Sequence, residues 1–257
     1  MTPTLTIEKL EALRNNFAET MIGLARGAPR VRITKRDGYW MSRSPFEHPI
    51  ANFAVRLDLN QQEIKTLVRM ATKNPSFRIY VMPRDNPAEI GKEFESWGLV
   101  PSFRIVGMAL ERPPLFADSL ARLAMREERE EILRFIVEHF FWKSPRSIKT
   151  MLFQVMSKAK AHGHEMYVVR DEKGIVAVAS IVVAGDTAGL YNICVRNDMR
   201  GKGLGSELVR QLSWLGASRG LKVVLQCEKD LENWYFSLGF TTLGEIKAYS
   251  SAAIKER

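Results

Sequence analysis

The stretch from residue 165 to residue 220 constrains the fold more than any other part of the chain. Three strand-like runs, EMYVVR, GIVAVASIVVAG and GLYNICV, are separated by the turn sequences DEKG and GDTAG, a pattern that predicts an antiparallel meander. A glycine-rich segment follows, and then four leucines recur at helical spacing, Leu204, Leu208, Leu212 and Leu215, before Gly220 ends the helix. A strand therefore runs through a glycine loop into a helix.

The flanking segments predict more elements of both kinds. Downstream, LKVVLQC has the length and continuous apolar character of a buried strand, ENWYFSLGF indicates a short helix ending at Gly239, and GFTTLGEIKAYS indicates a further strand. Upstream, residues 128–141 and 147–161 have helical patterns. These elements predict an α/β (α+β) fold in which a mixed, mostly antiparallel sheet carries flanking helices.

Length and composition bound the class of protein. The 257 residues, 46% of them hydrophobic, leave room for two domains. Two cysteines are too few for a disulfide framework, and the first twenty residues lack the apolar stretch of a secretion signal or membrane span. We therefore expect a cytoplasmic protein without a membrane partner. The net charge of +9 favours an anionic partner; because no lysine or arginine tract is present, a phosphate-bearing small molecule is expected rather than nucleic acid.

Two consecutive prolines mark the predicted domain boundary. The segment ERPPLFAD, between Leu110 and Asp118, interrupts both helix and sheet. We therefore divide the chain into a first half, residues 1–113, and a second half, residues 114–257.

The two halves resemble each other. Residues 54–56 (AVR) align with residues 194–196 (CVR), and residues 94–99 (FESWGL) align with residues 235–240 (YFSLGF). Between these anchors each half has a helix and then a strand, FRIYVM or KVVLQC. The loop after the first anchor differs, because the first half has LDLNQQE where the second has the glycine-rich segment. The interpretation is a duplicated fold with one surviving site; a chance match of so few identities is the alternative.

The glycine-rich loop itself points to phosphate. Such a turn between a strand and a helix exposes backbone N–H groups at the positive end of the helix dipole, and Arg200 and Lys202 add charge. A P-loop is excluded because Gly203, and not Ser or Thr, follows Lys202. A Rossmann fingerprint is excluded because the preceding strands form antiparallel hairpins.

The pattern that fits is Arg-x-x-Gly-x-Gly, formed by Arg200, Gly203 and Gly205 after the strand YNICV. With Tyr235 four residues before a Gly-Phe pair downstream, it resembles the GCN5-related N-acetyltransferase (GNAT) superfamily over residues 118–257. The first half resembles a degenerate GNAT domain without a phosphate loop. The resemblance implies tandem acyl-CoA N-acyltransferase folds, of which the second is the catalytic N-acetyltransferase domain.

The resemblance also implies a cofactor site. Acetyl-CoA, as co-substrate, would place its pyrophosphate on the loop and its pantetheine arm between two strands, 191–195 and 223–227. Backbone groups of the first strand would pair with the arm, and the N–H of Val195 would polarise the thioester carbonyl. The full set of implied contacts is Ile193, Cys194, Val195, Arg200, Gly201, Lys202, Gly203, Leu204, Gly205, Ser206 and Asn233.

Two residues are candidates for the proton transfers of direct attack by an amine. A phenol is a suitable acid for the departing thiolate, so Tyr235 is the predicted general acid; packing beneath the turn at Gly239 is the structural alternative. Glu228, which follows the strand VVLQC, is the predicted general base, with a merely solvated glutamate as the alternative. Phe94, at the equivalent position of Tyr235 in the first half, lacks the hydroxyl.

Other chemistry-bearing residues are expected to be structural. His162 and His164 have no third ligand in view, so no metal is expected. Cys194 and Cys227 are expected to be buried apolar residues rather than acyl carriers. The aromatic residues 140–142 either line the acceptor pocket or pack between helices.

The sequence thus predicts transfer of an acetyl group from acetyl-CoA to a primary amine, on a small molecule or a peptide, in a ternary complex. The alternatives are a non-catalytic acyl-CoA sensor and a nucleic-acid-binding protein. The acceptor, the acyl preference and the oligomeric state do not follow from the sequence.

Overall fold

A computed structural model describes residues 3–115, 118–159 and 164–251. Its helices are α1 (Pro3–Ala25), α2 (Gln61–Lys73), α3 (Pro87–Ser96), α4 (Arg129–Phe140), α5 (Arg146–Lys158), α6 (Leu204–Ser218) and α7 (Glu232–Ser237). Its strands are β1 (Arg32–Lys35), β2 (Trp40–Arg43), β3 (Phe53–Val55), β4 (Arg78–Val81), β5 (Leu99–Leu110), β6 (Arg122–Leu123), β7 (His164–Asp171), β8 (Gly174–Ala184), β9 (Thr187–Val195), β10 (Lys222–Cys227) and β11 (Phe240–Ser251). Within the described ranges, no helix is long and apolar enough to cross a membrane.

The predicted meander is confirmed as β7, β8 and β9, which pair antiparallel in sequence order. The helix after the glycine loop is α6, and the apolar run LKVVLQC is β10. The short helix before Gly239 is α7, and the two upstream helices are α4 and α5. The mixed sheet with flanking helices is therefore the observed architecture.

One sheet joins the two halves of the chain. Its strand order is β1-β2-β3-β4-β11-β5-β10-β9-β8-β7-β6. The last strand of the second half, β11, lies between β4 and β5 of the first half, and β5 in turn lies between β11 and β10. Each half therefore completes the sheet of the other half. The proposed domain boundary after residue 113 stays a prediction. It falls just after the chain leaves the shared sheet at the end of β5.

Helices cover both faces of this sheet. Side chains of α1 pack with Ala109, Val224 and Ile246 on one face, together with α4 and α5, and we call this the α1 face. The alternate residues Met108 and Leu225 pack against α6 and α7 on the opposite face, which we call the α6 face. Helices α2 and α3 of the first half cover the same α6 face.

The internal repeat is present, but its first anchor is displaced from the predicted one. Ala54 pairs in parallel with Ile79, and Leu190 pairs in parallel with Leu225. The two parallel ladders superpose when Ala54 lies over Leu190. The predicted overlay on Cys194 is therefore wrong by four residues, because matching letters rather than strand register selected it.

Two backbone features support the corrected alignment. Arg56 and Asn192, each two residues after the matched pair, both have left-handed backbone, with φ of 56° and 53°. The second predicted anchor is confirmed, since Gly98 and Gly239 end equivalent helices with φ of 78° and 94°. Both halves therefore have a strand followed by a left-handed residue, and a helix that ends before a left-handed glycine.

Helix α1, which the sequence patterns did not reveal, lies close against the centre of the sheet. A Cβ atom on Gly189 would lie 2.0 Å from Oδ1 of Asn16. The side chain of Asn16 is fully buried, and its Nδ2 donates to the carbonyl oxygen of Val182 at 2.8 Å. Asn16 therefore fixes the first helix of the first half on the meander of the second half.

We predict that substitutions of Asn16 and Gly189 are energetically coupled. Gly189→Ala overpacks the contact and should cost about 2 kcal/mol of unfolding free energy, and Asn16→Ala should cost a similar amount by leaving buried carbonyl groups unpaired. In the double variant, alanine at position 16 removes part of the clash with the new Cβ atom at position 189. The double variant should therefore lose about 1 kcal/mol less unfolding free energy than the sum of the two single losses. Urea unfolding of the four proteins measures this coupling.

Asn15→Ala is the matched control. Asn15 lies next to Asn16 but accepts a hydrogen bond from Arg56 Nε at 2.9 Å, so its effect should add to that of Gly189→Ala. Additive losses for Asn16→Ala and Gly189→Ala would contradict the proposed close contact.

Candidate functional site

A wedge opens in the sheet where β9 and β10 diverge. The parallel pairing of these strands runs from Thr187 and Lys222 to Leu190 and Leu225. Beyond this point β9 continues to residue 195 and β10 to residue 227. The left-handed residue Asn192, at a register shift against β8, marks the start of the divergence. We call the gap beyond Leu190 and Leu225 the wedge.

Backbone groups of β9 face the wedge. The N–H of Arg196 donates to the carbonyl oxygen of Val176 at 2.8 Å, so the flanking pair Val195 and Ala177 does not exchange hydrogen bonds. The N–H and carbonyl of Val195 therefore point away from β8, into the wedge. Arg200 Nε donates to this carbonyl at 3.1 Å, whereas the N–H of Val195 faces the space that the sequence assigns to the thioester.

The glycine loop has the backbone that its sequence requires. Gly201 and Gly203 have φ of 75° and 85°, in the left-handed region that other residues adopt at a cost. Gly203 is the N-cap of α6 and offers no side chain to its first-turn amides. Arg200 and Lys202 are exposed beside these amides. The loop therefore presents N–H groups and two cations, a combination that suits a phosphate.

A side-chain hydrogen bond joins the start of α6 to α7. Trp234 Nε1 donates to Ser206 Oγ at 3.1 Å. A Cβ atom on Gly205 would lie 3.6 Å from the Trp234 ring and 3.8 Å from Val195, which is ordinary van der Waals contact. Gly205 is therefore closely surrounded, but its backbone does not require glycine.

Tyr235 is buried on the α6 face of the wedge. It packs with its ring against Trp234 and Phe240, at centroid distances of 4.5 and 5.9 Å. Burial raises the pKa of the Tyr235 hydroxyl above its ordinary value, and the neighbouring Cys227 thiol adds to the rise. The hydroxyl is therefore protonated at neutral pH. It lies near Cys227, in the part of β10 beyond its pairing with β9.

The remaining predicted site residues are less enclosed. Glu228 follows β10 directly and is exposed, with extended backbone and no side-chain cap to the helical turn after it. By the alternation of β10 its side chain falls on the α1 face with Gln226, opposite Tyr235. Asn233 is exposed on α7. Ile193 and Leu204 are half-buried at the two ends of the loop.

The cysteines are buried and free, as expected. Burial raises the pKa of both thiols to about 11, so neither is a thiolate at neutral pH. Cys194 packs on the α1 face among α4 and α5, whereas Cys227 Sγ lies 3.7 Å from Met108 Sδ on the α6 face. The two side chains therefore lie on opposite faces of the sheet.

The histidine pair does not form a site in the described ranges. His162 lies outside them, and Nε2 of His164 is buried without a hydrogen-bond partner there. Among the described residues, no group of three histidine, cysteine or carboxylate side chains is placed to hold a metal ion.

A buried polar cluster on the α1 face of the wedge was not foreseen. The Tyr191 hydroxyl donates to Asn16 Oδ1 at 2.8 Å, and Thr20 and Gln226 lie beside the same hydroxyl. Burial raises the pKa of Tyr191 to about 12. Oγ1 of Thr20 and Nε2 of Gln226 are buried without a well-formed hydrogen bond to the described residues. No sequence pattern links α1 to strands about 175 residues away, so this cluster was detectable only in three dimensions.

The C-terminal end of α4 lies near the glycine loop. The positive charge of Arg200 contributes, after burial, to a lowered pKa of His139, which places this histidine near the loop. Phe140, the last residue of α4, and Trp142 are exposed, whereas Phe141 is half-buried and packs against the core formed by α4 and α5. The aromatic run is therefore divided, with two rings at the rim of the α1 face and one packed between the helices.

The first half has the left-handed residue but not the site. Five positions separate Arg56 from the start of α2, whereas twelve separate Asn192 from the start of α6. At the corresponding place, Arg14 of α1 donates to the carbonyl oxygen of Leu57 at 2.7 Å and pairs with the buried Asp85 at 2.7 Å, and these residues line a cavity of about 400 Å³. The strand extension and the glycine loop are thus both missing from the first half.

Comparisons with known proteins agree with this geometry. Residues 162–242 match the acetyltransferase (GNAT) domain family. A GCN5-related N-acetyltransferase from Kribbella flavida is similar in fold at 14% identity, covering 95% of this chain and 96% of that one with a TM-score of 0.66. A tandem GNAT protein from the clavulanic acid biosynthesis pathway is similar at 14% identity, covering 99% and 97% with a TM-score of 0.57.

A further structure, a GNAT-family acetyltransferase from Novosphingobium aromaticivorans, shares 16% identity over 86% of this chain and 92% of that one, with a TM-score of 0.55. No curated protein matches the chain. Residues 162–242 thus match the acetyltransferase (GNAT) domain family, and the chain as a whole has the fold of solved GNAT structures, one of them a tandem GNAT protein.

The buried His164 gives a prediction about acid stability. Burial and the nearby Arg129 lower the pKa of His164 from 6.5 to about 4. The unfolded chain therefore binds a proton at a higher pH than the folded chain, so stability is present above pH 6.5 and is lost as pH falls towards 4. This histidine should account for about 2 kcal/mol of that loss. His164→Gln should flatten the profile between these pH values in urea unfolding, whereas parallel profiles would refute the assignment.

Proposed function

We propose that the protein transfers an acetyl group from acetyl-CoA to a primary amine, by direct attack in a ternary complex. The observation that carries the proposal is the wedge, where the N–H of Val195 and the glycine loop lead to one opening. The match of residues 162–242 to the acetyltransferase (GNAT) domain family supports acyl transfer in general. A cytoplasmic location is part of the proposal, because both cysteines are free thiols.

The loop and the wedge fit the co-substrate. First-turn amides of α6, with Arg200 and Lys202, would hold the pyrophosphate, and the left-handed glycines let the backbone approach it. Backbone groups of Ile193 and Val195 would pair with the pantetheine arm as an added strand does. The N–H of Val195 would donate to the thioester oxygen and stabilise the oxyanion formed on attack.

Tyr235 would protonate the leaving thiolate. Its hydroxyl is protonated at neutral pH because burial raises its pKa, so a proton is available when the carbon–sulfur bond breaks. Glu228, at the end of β10, would take the proton that the acceptor ammonium loses before the new carbon–nitrogen bond forms, directly or through water. With the base on the α1 face and the acid on the α6 face, the acceptor would enter from the α1 face.

The first half would help to bind the acceptor. Thr20, from α1, and Gln226, from β10, carry buried donor groups without a well-formed hydrogen bond among the described residues. Both are next to the Tyr191 hydroxyl on the α1 face. An acceptor with a hydrogen-bond-accepting group near its amine would satisfy these donors.

Substitution of Tyr235 tests the proposed chemistry. In Tyr235→Phe we expect kcat to fall about 100-fold, with the Kd for acetyl-CoA unchanged, because only the proton donor is removed. Release of the CoA thiol with a panel of small amines and lysine peptides measures kcat, and calorimetry measures Kd.

Tyr80→Phe is the matched control, since Tyr80 is also a buried tyrosine but lies in the first half. An equal fall in kcat for both variants would show a structural effect, and an unchanged kcat in Tyr235→Phe would eliminate Tyr235 as the acid. Tight binding of acetyl-CoA without thiol release for any amine would favour the non-catalytic sensor.

A further inference from the structure

A second basic cavity lies in the first half, remote from the wedge in the order of the sheet. It has a volume of about 340 Å³ and is lined by Arg30, Arg32, Arg43, Ser44, Pro45, Asn52 and Asn74. The edge strand β1 and its neighbour β2 form one side of it, whereas the wedge lies beyond the central pair β5 and β11. We call this space the arginine cavity.

Three arginine residues line the arginine cavity. Arg32 and Arg43 are directly opposite in the register of β1 and β2, so their side chains leave the same face of the ribbon. Arg30, in the connection between α1 and β1, has left-handed backbone with φ of 47°. Like charges placed directly across a ladder are destabilising, and left-handed backbone is unfavourable for arginine. The arrangement therefore costs stability unless something compensates the charge.

No carboxylate of the described residues compensates it. Residues that line the cavity include neither aspartate nor glutamate, and none of the three arginines has a carboxylate partner within 4 Å in the described ranges. Glu47 is the one acidic residue of the adjoining segment 44–52, and it does not line the cavity. An anionic ligand from outside the chain would therefore be needed to neutralise the positive charge of this site.

Arg43 carries the clearest sign of a missing partner. Its Nε is buried and has no hydrogen-bond acceptor among the described residues. Its Nη1 donates to Met70 Sδ at 3.9 Å, and a thioether sulfur is a weak acceptor. A buried guanidinium donor without an acceptor is costly, and an anion in the cavity would supply one.

The opposite wall is rigid and already satisfied. The fully buried Asn52 accepts hydrogen bonds at Oδ1 from the Ser44 N–H at 3.0 Å and from Asn74 Nδ2 at 3.2 Å. Its Nδ2 donates to the carbonyl oxygen of Phe46 at 2.5 Å. Because the Asn52 amide is engaged in this way, guanidinium N–H groups are the main donors that the cavity offers.

We propose that the arginine cavity binds the phosphate group of a small phosphorylated molecule. Guanidinium forks match the geometry and charge of phosphate oxygens, and a bound dianion would relieve the repulsion between Arg32 and Arg43. A volume of about 340 Å³ leaves room for a group larger than orthophosphate. A concave site with three arginines suits one phosphate group better than a nucleic-acid backbone, which spreads its charge along a surface. The site goes beyond the proposed acetyl transfer and does not depend on it.

Calorimetric titration with pyrophosphate tests the proposal on the full chain. Loss of one charged hydrogen-bonding partner should weaken binding about tenfold or more in Arg43→Gln and in the exposed variant Arg32→Gln. Arg210→Gln, on the exposed side of α6, removes the same charge elsewhere and should leave this binding unchanged. The titration is run with saturating CoA, so that pyrophosphate does not bind at the glycine loop. Two variants at the site guard against misfolding of either one.

Three results would overturn the proposal. The first is no binding of pyrophosphate at millimolar concentration. The second is binding that occurs without CoA and is lost when CoA is saturating, which would assign it to the glycine loop. The third is tighter binding of a single-stranded oligonucleotide that increases with its length and is unaffected by Arg43→Gln, which would indicate a general basic surface.

Discussion

The antiparallel pairing of β5 with β11 is the contact on which the rest of the structure depends. It runs over almost the whole of both strands, and each strand also pairs with the neighbouring half, β5 with β10 and β11 with β4. Neither half therefore has a complete sheet of its own. Because β10 is held on one side by β5, it can leave β9 beyond Leu225 without becoming an isolated edge, and the wedge is the result.

Both halves have a left-handed residue after the parallel ladder, Arg56 and Asn192, but only the second half extends its strand beyond that residue and adds a glycine loop. In the first half the corresponding space holds the buried pair of Arg14 and Asp85. The Arg14 guanidinium there is already paired with a carboxylate, whereas free N–H groups at a helix start attract an anion. The halves therefore share the course of the backbone and differ in the groups at this place, an ion pair in the first half and the glycine loop in the second.

Local patterns predicted most of the fold of the second half, because its meander, its glycine loop and its α6 leucines are each coded within a few residues. They did not predict α1, since buried polar residues such as Asn16 interrupt its apolar pattern and have partners on distant strands. The repeat was recognised from residues 94–99 but misaligned at Ala54, because strand register is set by pairing and not by identical letters. The roles of Tyr235 and Glu228 stay predictions, whereas the cluster around Tyr191 required the fold.

The central claim is that the glycine loop and the wedge together hold acetyl-CoA. Its most direct test is calorimetric titration of acetyl-CoA into the intact protein and into a variant with Gly203 and Gly205 both replaced by valine. Gly203 has φ of 85°, so a branched residue there distorts the loop, and valine at position 205 fills the space before Trp234. We expect micromolar binding by the intact protein and loss of binding by the variant. Equal binding by both proteins, or no binding by the intact protein, would contradict the account.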